Sequence, residues 1–129
     1  MATVDGRANI SNLSRSQQGF KINPVITFKA NKQDESGSVI LYPVNSVDFN
    51  AMYDNWFLTA GSDGVMSFWD YKARNKIKSF NYALNPITCA SVSPNGSMVG
   101  YASGNDWHVG AEGIGKWPNR IGVHLITEQ

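Results

Sequence analysis

The chain has 129 residues, of which 42% are hydrophobic and 16% charged, so it has the length of one ordinary domain and is too apolar for a disordered segment. Eleven Lys and Arg against ten Asp and Glu give a net charge of +1, which excludes a global field that attracts nucleic acid, anionic membrane or acidic substrates. The single cysteine, Cys89, excludes an internal disulfide framework and fits a reducing compartment.

Short segments rich in Val, Ile, Phe, Tyr, Trp and Thr alternate with proline and glycine along the whole chain. No window keeps a sustained helical apolar period, so the pattern predicts an almost wholly β chain. Tight turns are expected at Asp5-Gly6, Asp63-Gly64 and Asn95-Gly96. The predicted strands span residues 7–13, 25–29, 44–49, 56–60, 65–69, 76–80, 87–92, 97–102 and 120–126.

Two connections between the predicted strands are long. Residues 32–38 are polar and charged, and we expect them to form a surface loop. Residues 104–118 carry four of the twelve glycines, and long connections inside β domains are more often functional or mobile than incidental.

A pattern repeats along the chain. Residues 44–49 followed by residues 57–61 are echoed by residues 87–92 followed by residues 98–103. The offset is about forty residues, which is the period of propeller blades of the WD type.

The strongest local signal is residues 57–70, which read as a strand, an Asp-Gly turn, a second strand and a terminal Trp-Asp pair. We expect the Asp63 carboxylate to lie against the Trp69 indole N–H, with Thr59 or Ser62 supplying a hydroxyl. Asp63 and Trp69 are therefore assigned a structural role. Residues 41–43 stand where a WD blade usually opens with Gly-His, so this network is expected to lack its imidazole.

Residues 42–47, 61–64, 68–70 and 101–108 resemble the carboxyl-terminal part of the WD-repeat RNA-export factors of the nuclear pore. The related spindle-checkpoint WD-repeat proteins share the first three of these segments, whereas the last favours the export branch. The resemblance covers residues 4–125.

This resemblance implies an all-β fold, a partial WD-repeat β-propeller of about three blades of antiparallel four-stranded sheet. It implies one incomplete propeller domain over residues 1–129, in which residues 1–30 form a partial blade, residues 40–82 a complete blade, and residues 84–129 a last blade that lacks its final strand. Such an arc exposes sheet edges, so we expect a fragment, a truncated gene model or a divergent short form, with self-association through the open blade edges.

The resemblance also implies a non-catalytic scaffold that binds a nucleoporin peptide and RNA in mRNA export through the nuclear pore. The expected location is the nucleus and its pores and envelope, with cytoplasmic exchange. The alternative is a spindle-checkpoint adaptor that binds kinase peptides at kinetochores.

Four cations occupy alternate positions directly after Trp69 and Tyr71. If this segment is extended, its period of two places them on one side, which suits phosphate contacts beside aromatic rings in RNA binding. The alternative is a solvated outer strand that its lysines protect from edge pairing. The four cations are Lys72, Arg74, Lys76 and Lys78.

Trp107, His108 and Trp117 frame the long connection. They are candidates for an aromatic rim that docks a partner peptide; in the alternative, both indoles fold back over the end of the last blade. His108 and His124 have no second ligand or nucleophile at a telling spacing, so no metal ligand, cofactor or catalytic residue is assigned.

Three other features are expected to carry no function. Residues 110–116 match the Gly-four-Gly-Lys pattern of a phosphate-binding loop, but Trp117 follows where Ser or Thr is required. Cys89 lies in an apolar strand and is expected to be a packed, inert thiol. The first twelve residues lack the apolar centre of a secretory signal, and no apolar run is long enough for membrane insertion.

Overall fold

The computed structural model describes residues 1–30, 32–81 and 85–127, and regular structure within these ranges is β-strand apart from one short 3-10 helix, Gly110–Gly113. The strands are β1 (Arg7–Ser16), β2 (Gly19–Lys29), β3 (Lys32–Glu35), β4 (Ser38–Leu41), β5 (Val44–Phe49), β6 (Trp56–Gly61), β7 (Met66–Asp70), β8 (Asn75–Phe80), β9 (Ile87–Val92), β10 (Met98–Ser103) and β11 (Arg120–Leu125).

The strands form four antiparallel sheets. β1 pairs with β2, β3 pairs with β4, β5 to β8 form one sheet in sequential order, and β9 to β11 form a three-stranded sheet with β10 in the middle. The four-stranded sheet is called the middle blade below, and the three-stranded sheet the last blade. The predicted all-β, partial β-propeller fold is confirmed. The predicted blade boundaries at residues 82 and 84, and the end of the predicted last blade at residues 128–129, lie outside the described residues.

The expectation of a surface loop over residues 32–38 is wrong. β3 and β4 pair there as a hairpin around Ser36 and Gly37, whose φ angles are 45° and 83°. Two successive left-handed residues make the tight turn whose twist matches paired strands. The polar sequence hid the hairpin because it lacks the apolar alternation by which strands are recognised.

Apolar side chains lie on both faces of the middle blade, because alternate residues of a strand point to opposite sides. On one face, Leu58 and Phe68 pack with Ile87 and Val99 of the last blade. The opposite face packs against the β1–β2 hairpin and includes Trp69 and other buried residues. That second cluster comprises Ala8, Phe28, Ala30, Val44, Phe57 and Trp69.

Hydrogen bonds join β5 to β9, the facing strands of the two blades. Ser46 Oγ donates to the Ala90 carbonyl at 2.6 Å. The Asp48 carboxylate accepts from Ser91 Oγ at 2.9 Å and from the Val92 amide at 2.8 Å. These bonds are directional, so they fix the position of β9 along β5 more closely than apolar packing alone does.

Several residues on the face of the last blade that points away from the middle blade are exposed, among them Ile121 and Val123. Cys89 lies on this face and is exposed, so the expectation of a packed thiol is wrong. The reason is strand alternation: Ala90 points into the core between the blades, and its neighbour Cys89 therefore points outward.

Within the described ranges, no helix has the length and apolar character that crossing a bilayer requires.

Candidate functional site

The β6–β7 hairpin holds Trp69 in the core. The turn between the strands is closed by a backbone bond from Gly64 N to the Gly61 carbonyl at 3.1 Å, and Asp63 Oδ1 accepts from the Val65 amide at 3.2 Å. The Trp69 indole N–H donates to Thr59 Oγ1 at 2.9 Å. The indole thus donates to Thr59, one of the two hydroxyls predicted for this network, and not to the Asp63 carboxylate as predicted. Asp63 Oδ1 accepts from the turn amide.

The turn after Trp69 carries the first two predicted cations. Asp70 Oδ1 accepts from the backbone amides of Lys72 and Ala73 at 2.9 and 2.8 Å, and Arg74 adopts a left-handed φ of 58°. These contacts form a compact turn between β7 and β8 that leaves the Lys72 and Arg74 side chains exposed.

The other two cations lie on β8. Lys76 Nζ lies 5.0 Å from the centroid of the Trp69 ring, whereas Lys78 Nζ lies 5.1 Å from that of Phe80. The pairing shifts between Phe68 and Trp69, so that Phe68 faces Lys78 and Trp69 faces Lys76. The prediction that all four cations share one side is wrong, because this β-bulge breaks the period of two and turns Lys76 and Lys78 to opposite faces.

The cations therefore form a corner rather than a row. Lys72, Arg74 and Lys76 lie in the β7–β8 turn and the first residues of β8, next to Tyr71, and we call this set the basic corner. Tyr71 is partly exposed, and its hydroxyl donates to the Asp54 carbonyl at 3.4 Å. Trp69 is buried, so its indole supports Lys76 but presents no open face on which a base can stack.

A second site forms where the long connection of the last blade meets the middle blade. Asp106 Oδ1 accepts from His108 Nδ1 at 2.6 Å and from the His108 amide at 3.2 Å. Asp106 Oδ2 accepts from Asn45 Nδ2 at 2.7 Å and from Ser62 Oγ. Asn45 Nδ2 also donates to the Ile87 carbonyl at 2.9 Å. We call Asp106, His108, Asn45 and Ser62 the inter-blade latch.

Charge is stabilised within this latch. Burial alone raises the pKa of the Asp106 carboxyl, but the hydrogen bonds from Ser62, His108 and Asn45 outweigh it, so the pKa lies below its ordinary value of 3.8. The carboxylate is thus ionised at neutral pH. The Trp69 network was expected to lack an imidazole because residues 41–43 replace the usual Gly-His pair. The ring of His108, from the long connection, lies 6.2 Å from that of Tyr42, centroid to centroid, so an imidazole lies beside these residues although they supply none.

The two tryptophans of the connection behave differently from each other. Trp117 folds back and stacks on His108 with ring centroids 5.2 Å apart and planes at 30°. Trp107 points outward, is 61% exposed and has a left-handed φ of 63°. Trp117 therefore folds back, as one alternative predicted for both indoles, whereas Trp107 does not. Trp107, beside the packed Trp117–His108 pair, is the exposed aromatic of this face.

His124 lies between the blades at 4.1 Å from the Phe80 ring, centroid to centroid. Its burial, and secondarily the charge of Lys78, lower its pKa below the ordinary value of 6.5. It therefore stays neutral near pH 7. Among the described residues, no group of three His, Cys, Asp or Glu side chains is arranged to hold a metal ion.

Sequence reasoning missed the latch as a unit. Asp106 and His108 are two residues apart, so their closeness is evident from the sequence. Asn45 and Ser62, however, lie 61 and 44 residues from Asp106 in the chain. Only the packing of one blade on the next brings them together, and nothing in a single sequence reports that distance.

Comparison with known proteins finds relatives whose names refer to RNA export and to the spindle checkpoint. It is 34% identical to "Protein RAE1" of Arabidopsis thaliana over 87% of this chain and 30% of the relative. It is 30% identical to the "Poly(A)+ RNA export protein" of Schizosaccharomyces pombe over 99% of this chain and 35% of the relative. It is 31% identical to the "Spindle assembly checkpoint protein bub3" of the same yeast over 79% of this chain and 31% of the relative.

The chain thus spans about a third of the length of these curated relatives. A scan against protein-family models finds no match.

Proposed function

Since this chain is a homologue of the WD-repeat mRNA export factors, we propose that it is a non-catalytic β-propeller segment that binds RNA and a nucleoporin peptide in mRNA export. The observation that carries the RNA part is the basic corner, where three exposed cations follow a partly exposed tyrosine within five residues of the chain, although the net charge of the whole chain is only +1. The proposed location is the nucleus and its pores, with exchange to the cytoplasm.

The basic corner suits single-stranded RNA. Cations that neutralise phosphates release counterions, and a base can stack on the free part of an aromatic ring. Asp70 closes the turn through the backbone amides of Lys72 and Ala73, and Lys76 Nζ lies over the Trp69 ring. The backbone that carries Lys72 and Arg74 is therefore already ordered before RNA binds, which saves the conformational entropy of ordering this turn. Lys78 lies on the other face and is not included.

The test is RNA affinity as a function of salt concentration. We expect a fluorescent single-stranded oligonucleotide to bind with an affinity that falls with salt, with a logarithmic slope of about −0.7 per phosphate contact. Lys72→Gln, Arg74→Asn and Lys76→Gln remove the three charges, and Asn suits the left-handed position of residue 74. Together they are expected to flatten the slope by about 2.

The matched control is Lys21→Gln, which removes an exposed cation from β2, remote from the corner. It is expected to leave the slope unchanged. An affinity and slope that the triple variant shares with the wild type would refute the RNA role.

The peptide part rests on Trp107. Exposed tryptophans are frequent anchors at binding sites, and Trp107 stands between Asp106 and His108, which the hydrogen bonds of the latch and the stack with Trp117 hold in place. We propose that a nucleoporin peptide docks there. Trp107→Ala is expected to abolish peptide capture and to spare RNA binding, whereas equal capture by the variant would refute the assignment.

The second candidate is the checkpoint adaptor, which the similarity to the bub3 protein favours. The two candidates are separated by a pull-down with immobilised chain. Capture of a nucleoporin peptide supports export, and capture of a checkpoint-kinase peptide in its place supports the adaptor.

A further inference from the structure

Trp107 has a backbone conformation that its side chain disfavours. Its φ is 63°, in the left-handed region where a Cβ crowds the following carbonyl oxygen, and a bulky residue there is an outlier. The same connection reaches left-handed φ angles of 62° and 75° at Gly110 and Gly115, where the absence of a Cβ removes this cost. The chain thus has glycine at the neighbouring left-handed positions and a tryptophan at this one.

Hydrogen bonds on both sides of Trp107 hold it in this conformation. Asn105 Oδ1 accepts from the Trp107 amide at 3.1 Å, and the Trp107 carbonyl accepts from the Gly110 amide at 2.8 Å. Asp106 Oδ1 accepts from the His108 amide at 3.2 Å, so that its carboxylate closes the turn around residue 107. These bonds oppose the relaxation of the backbone toward an unstrained angle.

The other oxygen of the Asp106 carboxylate is anchored on the middle blade. Asp106 Oδ2 accepts from Asn45 Nδ2 at 2.7 Å and from Ser62 Oγ, and the Asp106 side chain is only 7% exposed. The turn is therefore fixed to a neighbouring sheet as well as to its own connection. A strained residue persists where the surrounding structure over-determines its conformation, and such residues are concentrated at functional sites.

We propose that Asp106 is a positioning residue for peptide binding: through the latch it holds Trp107 in the left-handed conformation and so presents the indole to the peptide. This inference rests on the proposed docking of a nucleoporin peptide at Trp107. Without the latch the turn relaxes, and only the fraction of chains that regains the strained conformation binds. Peptide affinity therefore depends on Asn45 and Ser62 of the middle blade as well as on Trp107 itself.

The first test needs no peptide and measures the strain at residue 107 in the intact protein. A Gly variant is ordinarily less stable than the Ala variant, because glycine gives the unfolded chain more freedom, but a left-handed position reverses this order. Trp107→Gly is therefore expected to have a higher urea midpoint than Trp107→Ala, although both remove the indole. The matched control is Ile114, which is exposed and has a φ of −62°; there Ile114→Gly is expected to have the lower midpoint.

Removing the anchor tests the role of Asp106 in this strain. In chains that also carry Asp106→Ala, the difference in urea midpoint between Trp107→Gly and Trp107→Ala is expected to become smaller, because the turn no longer imposes the left-handed angle. Asp54→Ala, which removes an exposed carboxylate, is expected to leave that difference unchanged. Ser62→Ala replaces Asp106→Ala if the unfolding curve shows that the latter is not folded.

The second test uses the nucleoporin peptide whose capture Trp107→Ala abolishes. Asp106→Ala is expected to raise the dissociation constant of this peptide about tenfold, because a left-handed angle is disfavoured by about that factor for a residue with a side chain. Asp54→Ala is expected to bind the peptide as the wild type does.

The outcomes separate the positioning role from the docking proposal. A peptide affinity that Asp106→Ala shares with the wild type, or a Trp107→Gly variant less stable than Trp107→Ala, would overturn the positioning role. If the wild type captures no nucleoporin peptide, the docking proposal fails, and the urea midpoints alone decide whether Asp106 holds Trp107 in its strained conformation.

Discussion

Removing the Asp106 carboxylate tests the inter-blade latch. This carboxylate is the acceptor for two groups of His108 on its own connection and for Asn45 and Ser62 on the middle blade. Asp106→Ala leaves all these donors in place without their acceptor, so the variant loses the bonds and also leaves polar groups partly stranded. The last blade of the variant should then separate from the middle blade more easily than it does in the wild type.

The size of the effect can be worked from the contacts. A hydrogen bond to a charged group contributes about 1.5–3 kcal/mol, and part of the loss is recovered because water reaches the opened site, so we expect Asp106→Ala to lower the free energy of unfolding by about 3 kcal/mol. Asp106→Asn keeps one carbonyl acceptor, and we expect about half of that loss. Urea unfolding followed by tryptophan fluorescence measures both changes, at one chain concentration for all variants.

The dependence on pH has a definite sign. The pKa of Asp106 is lowered by folding from 3.8, so its stabilising contribution is complete above about pH 3.8 and is lost as the pH falls through the folded-state value. The difference in free energy of unfolding between the wild type and Asp106→Asn should therefore become smaller in that acid range. Asp54→Ala, which removes an exposed carboxylate, is the control. A loss for Asp106→Ala no larger than that of Asp54→Ala would refute this reasoning.

Three further changes have definite expected outcomes. Thr59→Val removes the acceptor of a buried indole N–H, and thermal unfolding should report a loss of about 2 kcal/mol. Folding lowers the pKa of the His124 imidazole, so the unfolded chain binds the proton more tightly and the free energy of unfolding of the wild type falls as the pH drops below 6.5. His124→Gln should remove this pH dependence, which urea midpoints at several pH values measure. Gly96→Ala puts a Cβ at φ 70° and 2.3 Å from Asn50 Oδ1, so a loss above about 2 kcal/mol is expected in urea; Gly37→Ala, at φ 83° with open space around it, measures the backbone part alone.

The architecture was largely predictable because it depends on local signals. Strand alternation and turn dipeptides placed β5 and β9 at their observed bounds, and the forty-residue repeat indicated that neighbouring sheets are equivalent. The β3–β4 hairpin escaped because its turn, Ser36-Gly37, is recognised by backbone conformation rather than by apolar residues.

The candidate site was predictable in composition but not in geometry. Lys76 and Lys78 were identified from their spacing, yet the bulge opposite Phe68 and Trp69 turns them to different faces. A bulge depends on how two strands pair, and neither strand shows it alone. In the same way, the partner of the Trp69 indole was decided by Thr59 lying across the sheet, and Trp107 and Trp117 were separated by a loop conformation that has no periodic signal.

The proposed role in mRNA export is tested most directly by the distribution of poly(A) RNA in cells whose own copy of this chain carries Lys72→Gln, Arg74→Asn and Lys76→Gln. In situ hybridisation is expected to show poly(A) RNA accumulating in the nucleus while the variant chain remains at its normal level and location. A distribution identical to that of cells carrying Lys21→Gln would contradict the role.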